Sequence, residues 1–184
     1  MTGCWDASLR PDLSQGDLLP SILIGTAVHP KEPLKAGPTL AKGGVSWAKS
    51  ATWQPIFGNG VGRFLARGVH HDAVVLTESC EIDKDAGDVP ILVAPVFPLA
   101  QIQGDVDRAN VAARKRHAFL PLDAVQGLLQ PSYVDLRQTT YILRAHADEA
   151  HLAKKLSMND VGIQLLQAQI VAFYTRLSLN DLRA

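Results

Sequence analysis

The sequence predicts a β-rich α+β fold, in which a small β-barrel with a long first loop is followed by a C-terminal amphipathic helix. Three observations predict it. Short apolar segments rich in β-branched residues alternate with turns, as they do in small barrels. Residues 26–60 are crowded with proline and glycine, which is typical of turns and loops. Near the C-terminus, apolar residues recur at helical spacing. We expect residues 1–184 to form a single domain.

The composition excludes several classes of protein. Of the 184 residues 47% are apolar, and the eighteen Lys and Arg residues balance eighteen Asp and Glu residues. A net charge of zero excludes a strongly basic nucleic-acid coat protein. The two cysteines, Cys4 and Cys80, cannot form the disulfide framework of a small secreted domain and lack the spacing of a zinc site. No segment resembles a signal peptide or a membrane span of about 20 apolar residues. We therefore expect a cytoplasmic protein with no cofactor and no metal.

The first part of the chain predicts one strand between two irregular segments. Residues 1–15 are polar and show no periodicity, so we expect a flexible N-terminus. A strand is predicted over Asp17–Gly25, behind a turn at Gln15 and Gly16. The loop at 26–60 is unusually long for a compact domain, and Trp47 and Trp53 in it are expected to anchor the loop to the core.

The middle of the chain predicts two buried strands and a helix. The β-branched run Ala73–Glu78 and the apolar run Val89–Phe97 have the composition of buried strands, and residues 80–88 between them are predicted to be a loop. Asp105–Arg116 is predicted to be a short helix, because its acidic first turn and basic last turn complement the helix dipole.

The segments that follow predict two more strands and two helices. His117–Leu122 is predicted to be a short strand, Tyr133–Leu143 a strand with alternating faces, and His146–Lys155 a modest helix. The C-terminal helix is predicted over residues 157–178, with Ser157 as its N-cap. We expect one apolar stripe of this helix to cover the core. The stripe consists of Val161, Leu165, Leu166, Ile170, Phe173, Tyr174 and Leu177.

The order of these segments resembles that of the PemK/MazF toxin family. The matching segments are Gly16–Leu19, AVVLTES (73–79), ILVAPV (91–96), LLQPSYVDLRQTT (128–140) and LSMNDV (156–161). The resemblance implies a small β-barrel and, for an active member, metal-independent cleavage of RNA. It also implies pairing of two barrels into a homodimer and an antidote protein as a partner.

The chain departs from the family where the catalytic residues are expected. The family's catalytic Arg precedes the central strand, where this chain has His71 and Asp72, and its catalytic Thr or Ser follows the second apolar strand, where this chain has Val96-Phe97-Pro98. No catalytic residue of the family is therefore carried over. The segment Glu78–Asp83 also resembles a Ser-x-x-Cys-Asp/Glu-Ile pattern of uncharacterised bacterial and phage proteins, which implies no activity.

Three side chains are candidates for catalysis. His70 and His71 could act as general acid and base near neutral pH, although neighbouring strand residues face opposite sides of a sheet. Cys80 is a candidate nucleophile, but the carboxylates around it disfavour a thiolate. The structural alternative for Cys80 is a small, half-buried cysteine at a strand end.

A basic cluster is the candidate RNA-binding site. Arg114, Lys115 and Arg116 lie together in the sequence, and Arg63 and Arg67 join them if the fold allows. Clustered arginines bind phosphates, whereas the structural alternative is a solvated helix end that complements its own dipole.

Two functional hypotheses follow. The first is a toxin-like barrel that binds RNA or another phosphate-bearing ligand, with altered or absent ribonuclease activity. The second is a non-catalytic subunit of a phage or bacterial defence complex. Whether the protein is an enzyme is left open by the sequence; as an enzyme it would be a metal-independent endoribonuclease.

Overall fold

The computed structural model describes residues 3–6, 8–27, 39–41, 44–46, 66–83 and 90–175. Contacts divide the chain into two compact units, one formed by Met1–Ile24 with His70–Ala184 and the other by Gly25–Val69. In the second unit the structure describes a short antiparallel hairpin within the predicted loop at 26–60. Trp47, Trp53 and most of that loop lie outside the described residues. The single domain stays a prediction.

The described strands are β1 (Asp17–Ala27), β2 (Thr39–Ala41), β3 (Gly44–Ser46), β4 (Ala66–Val75), β5 (Ile91–Pro98), β6 (Phe119–Leu122), β7 (Ser132–Asp135), β8 (Thr140–Ile142) and β9 (Leu156–Ser157). The described helices are α1 (Ser79–Asp83), α2 (Asp105–Ala112), α3 (Arg144–His151) and α4 (Asp160–Thr175), with 3-10 turns at Leu99–Gln101 and Leu136–Gln138. None of these helices combines the length and the apolar composition that crossing a bilayer would take.

Seven of the strands form a curled antiparallel sheet, a half-barrel. Its order is β6-β7-β5-β4-β1-β9, and β8 pairs with β5 beside β7. Ala73 is opposite Pro95 where β4 meets β5, and Phe97 is opposite Tyr133 where β5 meets β7. The β-rich α+β class with a C-terminal helix is thereby confirmed.

Alternate residues of the central strands fill two separate apolar clusters. Val74 of β4 and Ala94 of β5 pack in one cluster with Leu166 of α4. Val75 and Val93 pack in the other, which α1 and α3 complete. Because successive strand residues face opposite sides, two covered faces require apolar residues at every position. This is the physical reason for the continuous apolar runs in β4 and β5.

The N-terminal segment, expected to be flexible, packs against the main sheet in its described part. Cys4 and Leu13 are buried, and Trp5 forms an isolated bridge with Met158. The predicted turn at Gln15 and Gly16 is present, and it needs glycine. Gly16 has a φ of +84°, and a Cβ atom there would lie 2.8 Å from the Met158 Cβ.

A buried polar cluster fixes the start of β1 against β9. The Asp17 carboxylate is fully buried and accepts hydrogen bonds from the Ser157 hydroxyl (2.7 Å), the Lys154 ammonium (3.0 Å) and the Ser14 main-chain N–H (2.9 Å). Ser157 therefore belongs to β9 and donates its hydroxyl hydrogen bond to Asp17, so its predicted role as helix N-cap is wrong. The cap is Asn159, whose side-chain oxygen accepts from the Gly162 N–H at 2.9 Å.

The predicted stripe of the C-terminal helix is only partly correct. The buried positions of α4 are Gly162, Leu166, Gln169 and Ala172. Ile163, Ile170 and Phe173 pack beside them, whereas Val161 and Tyr174 are exposed and Leu177 lies outside the described residues. The buried face includes a glycine and a glutamine, which a search for apolar spacing passes over. The Gln169 amide donates to the main-chain oxygens of Arg116 and His117.

The predicted helix at 105–116 ends four residues early. The Lys115 N–H donates to the Asn110 oxygen and the Arg114 N–H to the Val111 oxygen, which is the Schellman pattern of helix termination. Arg114 has a φ of +58°, a position usually taken by glycine. Arg114, Lys115 and Arg116 therefore lie beyond α2 and not on its last turn.

The predicted strand at 133–143 is interrupted. The Asp135 carboxylate accepts a hydrogen bond from the Arg137 N–H, and this bond starts the 3-10 turn at Leu136–Gln138 that separates β7 from β8.

The other predicted elements need smaller corrections. The loop expected at 80–88 begins with α1, the first buried strand ends at Val75, and α3 begins and ends before the predicted bounds.

Candidate nucleic-acid interface

Four rings form a continuous row across four neighbouring strands. We call His71, Phe97, Tyr133 and Phe119 the aromatic row. The ring centres of His71 and Phe97 are 4.7 Å apart, those of Phe97 and Tyr133 are 5.7 Å apart, and those of Tyr133 and Phe119 are 5.0 Å apart. The register explains the row, because Phe97 is opposite Tyr133 and His71 lies two residues beyond the pair of Ala73 and Pro95.

An arginine continues the aromatic row at the Phe119 end. The Arg137 guanidinium lies 4.5 Å from the centre of the Phe119 ring, within the range of a cation–π contact. Two of its nitrogens donate to the Asp135 carboxylate at 2.9 and 2.8 Å, and the Gln138 amide donates to the same carboxylate at 2.9 Å. Arg137 is thus held by a planar, two-point ion pair in front of an aromatic ring.

The ionisation of this corner of the sheet follows from burial and charge. Burial opposes the charge on Asp135, but the hydrogen bonds from Arg137 and Gln138 outweigh it, so the pKa of Asp135 lies below its ordinary range. The hydrogen bond to Asp135 raises the pKa of Arg137. Burial, together with the Asp135 charge, raises the pKa of Tyr133. At neutral pH Tyr133 is therefore a neutral phenol beside a fixed ion pair.

A groove of about 700 Å³ opens beside the Phe119 end of the row. Phe119, Tyr133 and Arg137 line it, together with Ile102, Asp107, Val111, Arg116, His117, Ala118 and Phe173. A volume of this size is typical of small-molecule sites. One Arg116 nitrogen lies 2.6 Å from a carboxylate oxygen of Asp107. The Nδ1 atom of His117 is buried and has no hydrogen-bond partner among the described residues. The groove thus combines aromatic walls with a half-exposed ion pair.

The two predicted catalytic histidines lie in a smaller pocket at the other end of the row. His70, His71 and Asp72 line a cavity of about 250 Å³ with residues of β5 and of the segment 128–132. The His70 Nδ1 lies 2.9 Å from the main-chain oxygen of Ser21, whereas His71 packs its ring on Phe97. Asp72 accepts from the Lys155 ammonium at 2.6 Å. The catalytic role of His70 and His71 stays a prediction.

Residues of two separate segments line this smaller pocket. His71 and Asp72 come from β4, and Val96 and Pro98 come from β5. The curled sheet therefore brings both segments together. The residue facing His71 across the strands is Phe97, which has no hydroxyl to donate or accept a proton.

Cys80, the third catalytic candidate, is exposed near the start of α1. Its thiol lies 3.7 Å from a carboxylate oxygen of Glu78, and none of the described contacts joins it to a histidine. The general base that a cysteine nucleophile requires is thus absent from the described surroundings of Cys80. Among the described residues, no group of three or more His, Cys, Asp or Glu side chains is arranged to hold a metal ion.

The predicted basic cluster is distributed over different surroundings. Arg116 lines the large groove, whereas Arg114 lies beside Cys4 and Asp123. Burial and the Asp123 charge raise the pKa of the Cys4 thiol, and the Arg114 guanidinium partly offsets them. Lys115 is exposed, Arg63 lies outside the described residues, and only the backbone of Arg67, in β4, is described. Of the three members whose side chains the structure describes, Arg116 is the one beside the aromatic row.

Sequence reasoning missed Phe119, Tyr133 and Arg137 as site residues. Two local signals pointed to Tyr133 and Arg137. Tyr133, Asp135 and Arg137 alternate, so they share a face, and aspartate two residues before arginine favours a local turn with an ion pair. No local signal places Phe119 and Phe97 beside Tyr133, because that requires the register of three strands.

A scan against protein-family models finds no family that matches this chain, and a search of curated proteins finds no match.

Proposed function

We propose that this protein binds single-stranded RNA across the aromatic row, with reduced or absent cleavage of the bound strand. The observation that carries the proposal is the row of four rings on adjacent strands, ended by Arg137. Aromatic side chains and guanidinium planes on a sheet are the surfaces on which proteins stack the unpaired bases of single strands. The groove and the smaller pocket at the two ends of the row offer room for the neighbouring nucleotides.

Reduced cleavage is proposed because the groups at the family's catalytic place differ. Metal-independent cleavage of RNA needs a base for the 2′-hydroxyl and an acid for the leaving oxygen. His71 packs at a tilt against an apolar ring, and His70 lies against the Ser21 main chain. We also propose kinship with the PemK/MazF toxins, which the half-barrel and the adjacency of His71 to Val96 and Pro98 in one pocket support.

The test is fluorescence anisotropy with a labelled, unstructured RNA of about ten nucleotides at low salt. Phe119→Leu retains most of the apolar volume but removes the ring, so binding should weaken about 5- to 150-fold, the equivalent of one lost base stack. Tyr141→Leu is the matched control, because Tyr141 is an exposed aromatic residue of β8 outside the row. Equal affinity of both variants, or no binding by the unmodified protein, would refute the proposal.

Cleavage is measured separately. Inducing the protein in a bacterial host, while following growth and the integrity of total RNA, distinguishes a binding protein from an active toxin. Normal growth with intact RNA agrees with the proposal. Growth arrest with fragmented RNA that His71→Ala relieves would instead assign ribonuclease activity, and with it a need for an antidote protein.

A second candidate is a non-catalytic subunit of a larger assembly. The observation that favours it is the outer edge of β8, which pairs with β5 alone among the described strands. Tyr141 of β8 and Leu143, the residue after the strand, have exposed side chains. Open strand edges with apolar side chains accept a strand from another chain. Under this candidate RNA binding is absent, and the purified protein sediments as a homodimer or with a partner that Tyr141→Lys displaces.

A further inference from the structure

We infer that the groove beside Phe119 selects guanine, and that the Asp107–Arg116 pair reads the edge of the base. This inference rests on the proposed function, because it assigns a base preference to RNA that is already bound by the aromatic row. Three features of the groove carry it: the chemistry of the ion pair, the apolar and aromatic walls, and the sign of the local charge.

The Asp107–Arg116 pair presents an acceptor and a donor fork side by side. Its nitrogen and oxygen are 2.6 Å apart, and this is the one hydrogen bond that either side chain makes among the described residues. Both carboxylate oxygens can therefore still accept a hydrogen bond, the bonded one through its second lone pair, and the remaining guanidinium N–H groups are still available. Both side chains are about half exposed, at 52% and 54%. An exposed pair of this kind contributes little stability, so a ligand can share it at small cost.

Guanine is the base that can form two hydrogen bonds with each of the two side chains. Its O6 and N7 atoms are two adjacent acceptors, which match a guanidinium fork, and its N1–H and N2–H groups are two adjacent donors, which match a carboxylate. Adenine and uracil alternate single donors and acceptors on their edges. Cytosine has two adjacent acceptors, N3 and O2, but no two adjacent donor groups. With each of these bases, at least one of the two side chains therefore makes a single bond. A base that makes fewer hydrogen bonds with the pair binds more weakly.

The walls of the groove suit a flat ring. Phe119, Tyr133 and Phe173 line it, and Val111 contributes apolar surface from α2. The groove volume of about 700 Å³ holds a nucleotide rather than a base alone. His117 lines the same groove and has a buried Nδ1 without a partner among the described residues. Because this nitrogen has no accessible surface, the contacts that His117 offers a ligand come from the exposed part of its side chain.

The charge of the groove favours the base over the phosphate at this position. Asp107 and Asp135 each accompany one of the two guanidinium groups, Arg116 and Arg137. Two carboxylates cancel the two guanidinium charges, so the groove does not concentrate a polyanion. A carboxylate beside Arg116 repels a phosphate oxygen but accepts from the N–H groups of guanine. The pair is therefore better suited to reading a base edge than to holding the RNA backbone.

The experiment compares four labelled uridine nonamers that differ at the central nucleotide, which is G, A, C or U. We expect the G oligomer to bind about 5- to 150-fold more tightly than the others, the range of one bidentate base contact. Asp107→Asn and Arg116→Lys should each remove this preference, so that the G and U oligomers bind with about equal affinity. Asp105→Asn is the matched control, because Asp105 pairs with Arg108 on the same helix and does not line the groove.

The outcomes separate this inference from the function on which it rests. Equal binding of the four oligomers by the unmodified protein overturns the guanine site but leaves RNA binding intact. No binding of any oligomer refutes the proposed function. A G preference that survives Asp107→Asn overturns the assignment to this pair. Competition by guanosine monophosphate, and not by adenosine monophosphate, checks the same site with the unmodified protein.

Discussion

At the scale of single residues, Asp135 has three roles in one small volume. Its buried carboxylate starts the 3-10 turn after β7, holds Arg137 at two points and accepts from the Gln138 amide. The turn and the ion pair together set the guanidinium against the Phe119 ring. The geometry of the proposed RNA surface therefore depends on one ionised side chain.

The first prediction concerns the pH dependence of stability. The pKa of Asp135 is lower in the folded protein than the ordinary aspartate value of 3.8 that we take for the unfolded chain. Its contribution is therefore fully present above that value and is lost as the pH falls through the folded pKa. Asp135→Asn should lower the free energy of unfolding by about 1–3 kcal/mol at pH 7, through weakened hydrogen bonds to a charged group.

Urea unfolding from pH 7 down to pH 3 checks this prediction. The difference between the Asp135→Asn variant and the unmodified protein should shrink toward the acidic end, because protonated aspartic acid and asparagine are both uncharged. Asp105→Asn serves as the control, since the Asp105 side chain is almost fully exposed and should change stability little. A difference that stays constant across this range would contradict the pKa argument.

Among single residues, the sequence identified those with distinctive chemistry and missed those defined by position. His71 and Arg116 were predicted, because histidine and clustered arginine are recognisable anywhere. Phe119 and Tyr133 were not, since aromatic residues in apolar strands are usually core residues. Their roles depend on the pairing of Phe97 with Tyr133, which involves residues 36 positions apart in the chain. Side-chain alternation alone does not fix such a register.

At the scale of elements, the existence of a strand or helix was predicted better than its end. β5 and α4 were found from their apolar patterns, but α2 ended at Ala112 and the strand at 133–143 was split. Both errors have a local cause. Arg114 adopts the left-handed φ of a helix stop, although the sequence has no glycine there. The Asp135 side chain competes for the backbone N–H of Arg137, which the regular ladder would otherwise use.

The second prediction concerns Gly162 in α4. Glycine in the first turns of a helix normally costs about 1 kcal/mol relative to alanine, so alanine should stabilise an isolated helix. Here a Cβ atom would overlap the main-chain oxygen of Cys4 in the packed N-terminal segment. Gly162→Ala should therefore lower the free energy of unfolding by about 1–2 kcal/mol, because overpacking outweighs the helix gain.

Urea unfolding of this variant is best compared with Gln164→Ala. Gln164 is exposed on the same helix, so this replacement should leave stability unchanged or raise it slightly. A Gly162→Ala variant as stable as the unmodified protein would mean that the N-terminal segment moves aside at little cost. In that case its contacts with α4 contribute little to the fold.

At the scale of the whole molecule, charge and surface chemistry point to the same mode of binding. The chain carries no net charge, and the two arginines beside the aromatic row each have a carboxylate partner. Proteins that bind nucleic acid mainly through phosphate contacts carry unpaired positive charge. The stacking surface, in contrast, needs no net charge, because every base has an apolar face.

The third prediction follows from this balance and concerns the salt dependence of RNA binding. The logarithm of the affinity for a single strand falls with the logarithm of salt concentration by about 0.7 for each phosphate that the protein neutralises. With Arg116 and Arg137 paired, we expect one or two neutralised phosphates and a slope of about −0.7 to −1.4.

Anisotropy titrations of the uridine nonamer between about 50 and 200 mM salt measure this slope. Arg137→Gln should flatten the slope further, whereas Arg114→Gln, beside Cys4, should leave it unchanged. A slope near −4 would require about six phosphate contacts. Such a slope would mean that a charged surface, and not the aromatic row, dominates binding.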